Sequence, residues 1–350
     1  RVYSYHFYRL IQRAKNIFLI YNSQEEGLKK AEKSRFIYQL ELEKNRNHKI
    51  EYYKAESNFE NEVTINYFKK TPSALKRIKE ISLKGFSPSS LETYIKNPKE
   101  YYFQKLLKLK KEKTNEGSAD HKTIGLIFHE TIESLYKPFI GKYLEKKDLK
   151  EVLQKINKTL KNSFSANNEL FNSGKNLILF EVIKSGIRVL IQNELNDLNS
   201  GSKIKIIALE KPIKGALNLK NSTKVAITGV IDRIDEKNGV VRIIDYKTGL
   251  VSSSNLTIKD MGLICSDTLR TKAMQLMCYV WMYHKSTRCE KISAGIISFR
   301  NLSNGTMKLK IKNSQTDLID SSSIVSFEKE LEGLISEIMD PKINFKDSEV

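Results

Sequence analysis

Two aspartates and a lysine stand in a segment whose other residues are typical of β-strands. The segment extends from residue 229 to residue 249, GVIDRIDEKNGVVRIIDYKTG, and it contains Asp232, Asp245 and Lys247. Paired carboxylates offer oxygen ligands only, and such sites favour Mg²⁺ or Mn²⁺ over Zn²⁺. A bound cation polarises a phosphoryl oxygen, and a lysine beside it stabilises developing negative charge. These residue types therefore suit hydrolysis of a phosphodiester.

A short turn decides whether the two aspartates meet. Residues 238–239, Asn-Gly, are the strongest sequence signal for a two-residue type I′ hairpin turn. That turn would place Asp235 opposite Arg242, and Asp232 opposite Asp245. Two directly opposed carboxylates repel each other, so the second pair requires a bound cation or a proton. If the turn is longer or bulged, the register slips and the acids become exposed charges of an edge hairpin.

The register separates the acids into two kinds. Because Asp235 has Arg242 across the hairpin, we predict an ordinary surface salt bridge there. Asp245 and Lys247 are two residues apart on one strand, so their side chains point to the same face. Lys247 therefore supplies positive charge beside the aspartate pair without filling the gap between them.

The elements around the hairpin predict a mixed α/β domain from Phe86 to the end of the chain. Helical patterns come first, and the Asn97–Pro98 step ends or kinks one of them. Strand patterns follow in KIKIIALEKPI, KVAITGVIDRID and GVVRIIDYKTG. A helical pattern, DTLRTKAMQLMCYVWMYHKS, then precedes the strands SAGIISFR and TMKLKIK, and a last helix extends to Ile338.

Three further polar side chains stand on predicted helices. His129 lies four residues after Gly125, hence on the same helical face, and the glycine would let that helix lie close to the sheet. A lone helical histidine is more often a core or surface residue than a ligand. Gln275 and Tyr279 also share a face, where they could form a plain hydrogen-bonded pair.

The motifs together resemble a known family. ITGVIDRID with RIIDYKTG resembles the active-site core of the PD-(D/E)XK nuclease superfamily, in its RecB/AddB-like exonuclease branch. SPSSLETYIKNPKEYYF resembles the opening motif of that branch, GLIFHE its Gly-x-x-x-His helix and QLMCY its Gln-x-x-x-Tyr helix. The resemblance implies an α/β fold with a central mixed sheet flanked by helices, and an additional helical subregion.

The resemblance also implies roles for individual residues. Asp232, Asp245 and Lys247 would be catalytic. A magnesium ion, or manganese, would be held by the two aspartates, by His129 and by the backbone carbonyl of Tyr246. Gln275 and Tyr279 would line the site and touch the DNA backbone. Glu210, in IIALEKPI, is an acid of uncertain function.

The cysteine pattern departs from one part of the family. Relatives that carry an iron–sulfur cluster have a cysteine where this chain has Asn97, and three more cysteines after the last helix. We therefore expect no cluster. Cys265, Cys278 and Cys289 lack metal-ligand spacing and are interpreted as free thiols in a reducing cytoplasm.

The first residues resemble a different family. YHFYRLIQRAKNIFLIYNS followed by SRFIYQL is similar to the end of a UvrD-like helicase core, in which a helix leads to a last strand, here Ile17 to Tyr21. Arg13 stands where active members have an arginine that senses the nucleotide phosphate. An ordinary amphipathic helix before a strand is the alternative. The sequence contains no phosphate-binding Gly-Lys-Ser/Thr loop, so we expect no ATP hydrolysis from this chain.

Composition bounds the partners. The net charge of +19 favours DNA as a partner, although lysines spread over a solvated surface would give the same charge. No run of about 18 apolar residues exists, so we expect no membrane span, and we expect no secretory signal. We predict a piece of a longer bacterial cytoplasmic protein, with the helicase-like end and a connecting segment in residues 1–66 and the nuclease domain in residues 67–350.

Taken with the resemblance, these features predict a magnesium-dependent DNA exonuclease domain of an AddB-like subunit. It would process double-strand breaks on single-stranded or duplex ends, together with an AddA-like helicase subunit. A free-standing RecB-like nuclease and a catalytically idle DNA-binding scaffold are the alternatives.

Overall fold

The computed structural model describes residues 2–21, 33–43, 49–53, 67–109, 121–167, 174–220, 222–312, 314 and 316–347. Contacts divide the chain into two units, residues 1–62 and residues 63–350. The predicted boundary between residues 66 and 67 falls at the end of a segment, 54–66, that lies outside the described residues.

The first unit contains two described helices, α1 (Val2–Ile11) and α2 (Arg35–Leu42). The ring of Phe7 on α1 stacks on Phe36 of α2, with centroids 4.9 Å apart. The strand predicted for Ile17 to Tyr21 is wrong, because this segment has no regular secondary structure. A strand requires a hydrogen-bonded neighbour, and the described part of this unit provides none.

The second unit is built on a five-stranded mixed sheet. Its strands are β2 (Ile204–Asn218), β3 (Lys224–Lys237), β4 (Val240–Lys247), β6 (Ile292–Ser298) and β7 (Met307–Lys308), in the spatial order β2-β3-β4-β6-β7. Within this sheet β4 and β6 pair in parallel, and the other described pairs are antiparallel. Two small sheets pair β1 (Tyr67–Phe68) with β9 (Phe345–Lys346), and β5 (Thr257–Ile258) with β8 (Lys310–Ile311).

Helices cover both faces of the large sheet, as predicted. On one face the apolar core includes residues of α3 (Pro72–Lys84), α4 (Pro88–Lys96), α9 (Thr271–Thr287) and α10 (Ser321–Met339). On the other face lie α6 (His121–Tyr136), α7 (Lys146–Ala166) and α8 (Gly174–Asn199), which form the additional helical subregion. A short helix, α5 (Pro98–Tyr101), follows α4 directly.

A capping residue and a crossover connection position these elements. Asn97 ends α4, and its side chain then accepts a hydrogen bond from the backbone N–H of Glu100 at the start of α5. Parallel pairing of β4 with β6 requires a crossover connection, which here contains the buried helix α9. The crossover places α9 across the sheet above the end of β4.

The predicted hairpin register is confirmed near the turn. Asn238 and Gly239 have φ values of +54° and +81°, which the left-handed positions of a type I′ turn require. Asp235 pairs with Arg242, and Glu236 pairs with Val241. The expectation of a surface salt bridge is wrong, however: the side chain of Asp235 is 0% exposed. The helices α6 and α8 cover this face of the hairpin and bury the charge.

Candidate active site

Asp232 lies where β3 and β4 separate. The hydrogen-bonded ladder stops at Arg233–Ile244, one pair short of the predicted opposition of Asp232 and Asp245. Instead, Oδ2 of Asp232 accepts a hydrogen bond of 2.6 Å from the backbone N–H of Tyr246. Burial, together with the charge of Asp245, raises the pKa of Asp232 to about 7. This electrostatic crowding is what a divalent cation would relieve.

Glu210 joins Asp232 through an irregularity in β2. The β2–β3 register shifts between Ile206 and Ala208, and the pairs Leu209–Arg233 and Lys211–Ile231 then bracket Glu210 and Asp232. Glu210 itself has a φ of +42°, a left-handed conformation that is unusual for a non-glycine residue in a strand. The strand pattern alone carries no signal for this shift, so the sequence left the function of Glu210 open.

His129 reaches the same point from α6. Its Nδ1 lies 3.2 Å from Oε1 of Glu210 and 3.7 Å from Oδ1 of Asp232. Burial lowers the pKa of His129, but the hydrogen bond to Glu210 and the charge of Asp232 outweigh it and raise the pKa. The prediction that Gly125 lets α6 lie close to the sheet is wrong. A Cβ added there would lie 3.8 Å from Oγ1 of Thr248, which is an ordinary van der Waals distance.

These three side chains fit a metal ion. One ligand atom from each of His129, Glu210 and Asp232 lies within 4.8 Å of the others. Octahedral Mg²⁺ binds oxygen at 2.0–2.1 Å, so its adjacent ligands lie roughly 3 Å apart. The measured 3.2 and 3.7 Å are close to that spacing. The donors, one imidazole and two carboxylates, fit a divalent metal ion.

Lys247 and Asp245 form an ion pair beside this cluster. Nζ of Lys247 lies 2.6 Å from Oδ2 of Asp245, so the predicted common face is confirmed. Burial lowers the pKa of Lys247, but the charge of Asp245 outweighs it and raises the pKa. The lysine is therefore held as an ammonium group.

Gln275 and Tyr279 line the site from α9. Nε2 of Gln275 lies 3.3 Å from Oδ1 of Asp245 and 3.1 Å from the hydroxyl of Tyr279, so the amide joins both. Gly229 on β3 allows this approach, because a Cβ added there would lie 2.8 Å from Cε1 of Tyr279. The helical spacing predicted the common face, and the structure places that face against Asp245.

Glu92 is a neighbour that the sequence did not single out. From α4 it accepts hydrogen bonds from the ammonium groups of Lys96 and Lys272 and from the hydroxyl of Thr271. Burial raises the pKa of Glu92, but the two lysines outweigh it and lower the pKa to about 2. The contact joins α4 to the start of α9 across 180 residues of sequence, which no local pattern reveals.

Arg13 belongs to the first unit. It is exposed, in the turn that follows α1. Its nucleotide-sensing role stays a prediction.

Comparison with known proteins decides the family. The family model of the PD-(D/E)XK nuclease superfamily matches residues 85–349. The chain belongs to this superfamily. Membership implies a nuclease that binds DNA and uses divalent metal ions, and the cluster around Asp232 is a candidate acidic site for such an ion.

Individual relatives match about half of the chain. An uncharacterized protein of Rickettsia conorii is 25% identical over 212 residues, and one of Rickettsia bellii is 27% identical over 202 residues. One of the subunits of an ATP-dependent helicase/deoxyribonuclease of Clostridium perfringens is 30% identical over 207 residues. Each match covers 55% of this chain but only 23%, 21% and 17% of the three relatives. The chain is thus similar to a part of much longer proteins.

No helix within the described ranges is both long enough and apolar enough to cross a membrane.

Proposed function

We propose that residues 67–350 form a magnesium-dependent DNA exonuclease domain. The observation that carries this proposal is the convergence of His129, Glu210 and Asp232 within 4.8 Å, beside the Asp245–Lys247 ion pair. Phosphodiester hydrolysis requires clustered metal ligands and a neighbouring positive charge, which a lysine provides.

The metal ligands would come from α6, β2, β3 and β4. His129, Glu210 and Asp232 form the cluster that would hold the ion, and Asp245 and the backbone carbonyl of Tyr246 are the further ligands that the family resemblance implies. When bound, a magnesium or manganese ion supplies positive charge that polarises the scissile phosphate and lowers the pKa of water. Glu210 enlarges the ligand set expected from the sequence.

The remaining side chains would act on the DNA. The ammonium of Lys247, which Asp245 holds at 2.6 Å, stabilises the negative charge that develops on the phosphate or positions the attacking water. Gln275 donates a hydrogen bond to Asp245 and, together with Tyr279, would contact the DNA backbone, as the family resemblance implies.

We further propose that the chain is part of an AddB-like subunit that processes double-strand breaks in the bacterial cytoplasm. The 30% identity to part of an ATP-dependent helicase/deoxyribonuclease supports this assignment, as do the helicase-like motifs in residues 1–66 and Arg13. An AddA-like helicase subunit would be the partner. We expect no iron–sulfur cluster, because Asn97 occupies the position of the first cysteine ligand and caps α5.

Degradation of DNA tests this function. Purified chain is incubated with end-labelled single-stranded and duplex DNA, in magnesium or in chelator, beside Asp245→Ala and Lys247→Ala. We expect the wild-type chain to degrade DNA in magnesium but not in chelator, and we expect neither variant to degrade DNA. Glu151→Ala and Lys155→Ala, which break an exposed ion pair on α7, are matched controls that keep activity. DNA binding without cleavage at any metal concentration would instead identify a scaffold.

A further inference from the structure

Arg233 is a fully buried cation next to Asp232, and the proposed chemistry does not use it. Its side chain is 0% exposed. One guanidinium nitrogen lies 2.6 Å from Oε1 of Glu194 on α8, and Nε donates a 2.7 Å hydrogen bond to Oδ2 of Asp235 on the same strand. Desolvation makes such an ion pair weak as a source of stability, so its presence invites a different explanation.

The same guanidinium contacts two tyrosines. Cζ of Arg233 lies 4.9 Å from the ring centroid of Tyr136 on α6, a cation–π distance. Tyr136 also donates a 2.6 Å hydrogen bond to Glu194. On β4, the hydroxyl of Tyr246 lies 3.5 Å from Arg233. Arg233 thus joins α6 and α8 to strands β3 and β4.

Both tyrosines lead back to the candidate metal ligands. Tyr136 is seven residues after His129, which is two turns along the same face of α6. The ring of Tyr246 meets the ring of His129 edge to face, with centroids 6.0 Å apart. The backbone N–H of Tyr246 holds Asp232. Arg233 is therefore the junction between the helix that carries His129 and the strands that carry Asp232.

We propose that Arg233 is a positioning residue that fixes α6 on the sheet and so sets the spacing between His129 and Asp232. The proposal rests on the proposed metal-dependent function. Arg233 is fully buried and acts on the ligands through its contacts with Tyr136 and Tyr246. Groups that orient metal ligands from behind change metal affinity about 10- to 100-fold when they are replaced.

Two variants of the full chain test the proposal. Arg233→Met combined with Glu194→Gln removes one charge of each sign, keeps an acceptor for Tyr136 and leaves Arg242 to pair with Asp235. We expect it to fold, and to bind Mn²⁺ in calorimetry without DNA about 10- to 100-fold more weakly than wild type. With DNA, kcat falls at limiting metal while KM for DNA is unchanged. Arg233→Lys keeps the charge and loses less affinity.

A remote variant separates positioning from mere stability. Lys70→Met removes a buried ammonium that binds the carbonyls of Glu337, Ile338 and Asp340 at the end of α10. We expect it to lower stability in urea while Mn²⁺ affinity stays at the wild-type value. If the double variant fails to fold, the folded Arg233→Lys protein decides.

The outcomes distinguish the two proposals. The positioning role is overturned if the folded double variant binds Mn²⁺ with wild-type affinity. If only Arg233→Lys folds, wild-type affinity in that protein overturns it. In either case the nuclease proposal is unaffected. The proposed function is overturned if the wild-type chain binds no Mn²⁺, or if Asp232→Ala binds Mn²⁺ as tightly as wild type. The positioning role of Arg233 is then overturned as well.

Discussion

Neutralising Asp235 gives the sharpest test of how the hairpin is packed. The side chain is 0% exposed and lies within 2.9 Å of three guanidinium nitrogens, one from Arg233 and two from Arg242. Replacing it by asparagine removes the carboxylate that pairs with Arg242 and leaves the fully buried Arg233 with the carboxylate of Glu194. Breaking a buried ion pair from one side costs about 3–5 kcal/mol, whereas an exposed pair contributes only about 0.2–1 kcal/mol.

We therefore expect Asp235→Asn to lower the free energy of unfolding by about 3–5 kcal/mol. Urea unfolding is followed by the fluorescence of Trp281, the single tryptophan, which is buried in the core of the second unit. Asp317→Asn is the matched control, since its carboxylate is 41% exposed and pairs with Lys308 at 2.7 Å. That control should change stability by less than about 1 kcal/mol. A loss below about 1 kcal/mol in Asp235→Asn would show that the pair behaves as a surface salt bridge, and the buried network would be refuted.

Three further outcomes follow from the structure. In Gly229→Ala the new Cβ would lie 2.8 Å from Tyr279, so we expect the ring to be displaced and DNA cleavage to fall by about 10-fold or more. Gly333→Ala is the control, because its new Cβ would meet open space, and it should have no effect. Lys70→Met should cost about 2–3 kcal/mol in urea unfolding, because the carbonyls of Glu337, Ile338 and Asp340 lose a charged donor; an unchanged midpoint would contradict this role. Glu92 has a folded pKa of about 2 against 4.5, so its stabilisation is complete above pH 4.5 and is lost as the pH falls towards 2. Glu92→Gln should flatten that part of the stability–pH profile, and an unchanged slope would count against the ion pairs with Lys96 and Lys272.

Local signals predicted much of the site. The Asn-Gly turn set the register that pairs Asp235 with Arg242, because a two-residue turn allows only one alignment of the strands. Helical spacing placed Gln275 and Tyr279 on one face of α9. Each of these features depends on residues close together in sequence.

The features that escaped prediction depend on distant contacts. Asp235 is buried because α6 and α8 pack over it, and neither helix is near it in sequence. Glu210 reaches the cluster through a register shift in β2 that alternation of residue types does not reveal. The carboxylate of Asp232 accepts a hydrogen bond from the backbone N–H of Tyr246, and the backbone pairing of β3 with β4 ends before the predicted Asp232–Asp245 pair.

The segment from Ile17 to Tyr21 shows the limit of strand propensity. Its apolar residues predicted a strand, yet Phe18 is 86% and Ile20 is 96% exposed, and no neighbouring strand pairs with them within the described part of residues 1–62. Propensity describes how well a residue fits a pleated, half-buried surface, and such a surface needs a partner.

The most direct test of the central claim is the single-turnover rate of cleavage of end-labelled DNA, measured at saturating magnesium for wild type, Asp245→Asn and the control Asp317→Asn. Asparagine keeps the shape of the residue but removes the charge that pairs with Lys247. We predict that Asp245→Asn lowers the rate by a factor of about 100 or more, with wild-type rates in the control. Equal rates in Asp245→Asn and wild type, or wild-type cleavage that persists in chelator, would contradict a metal-dependent nuclease at this site.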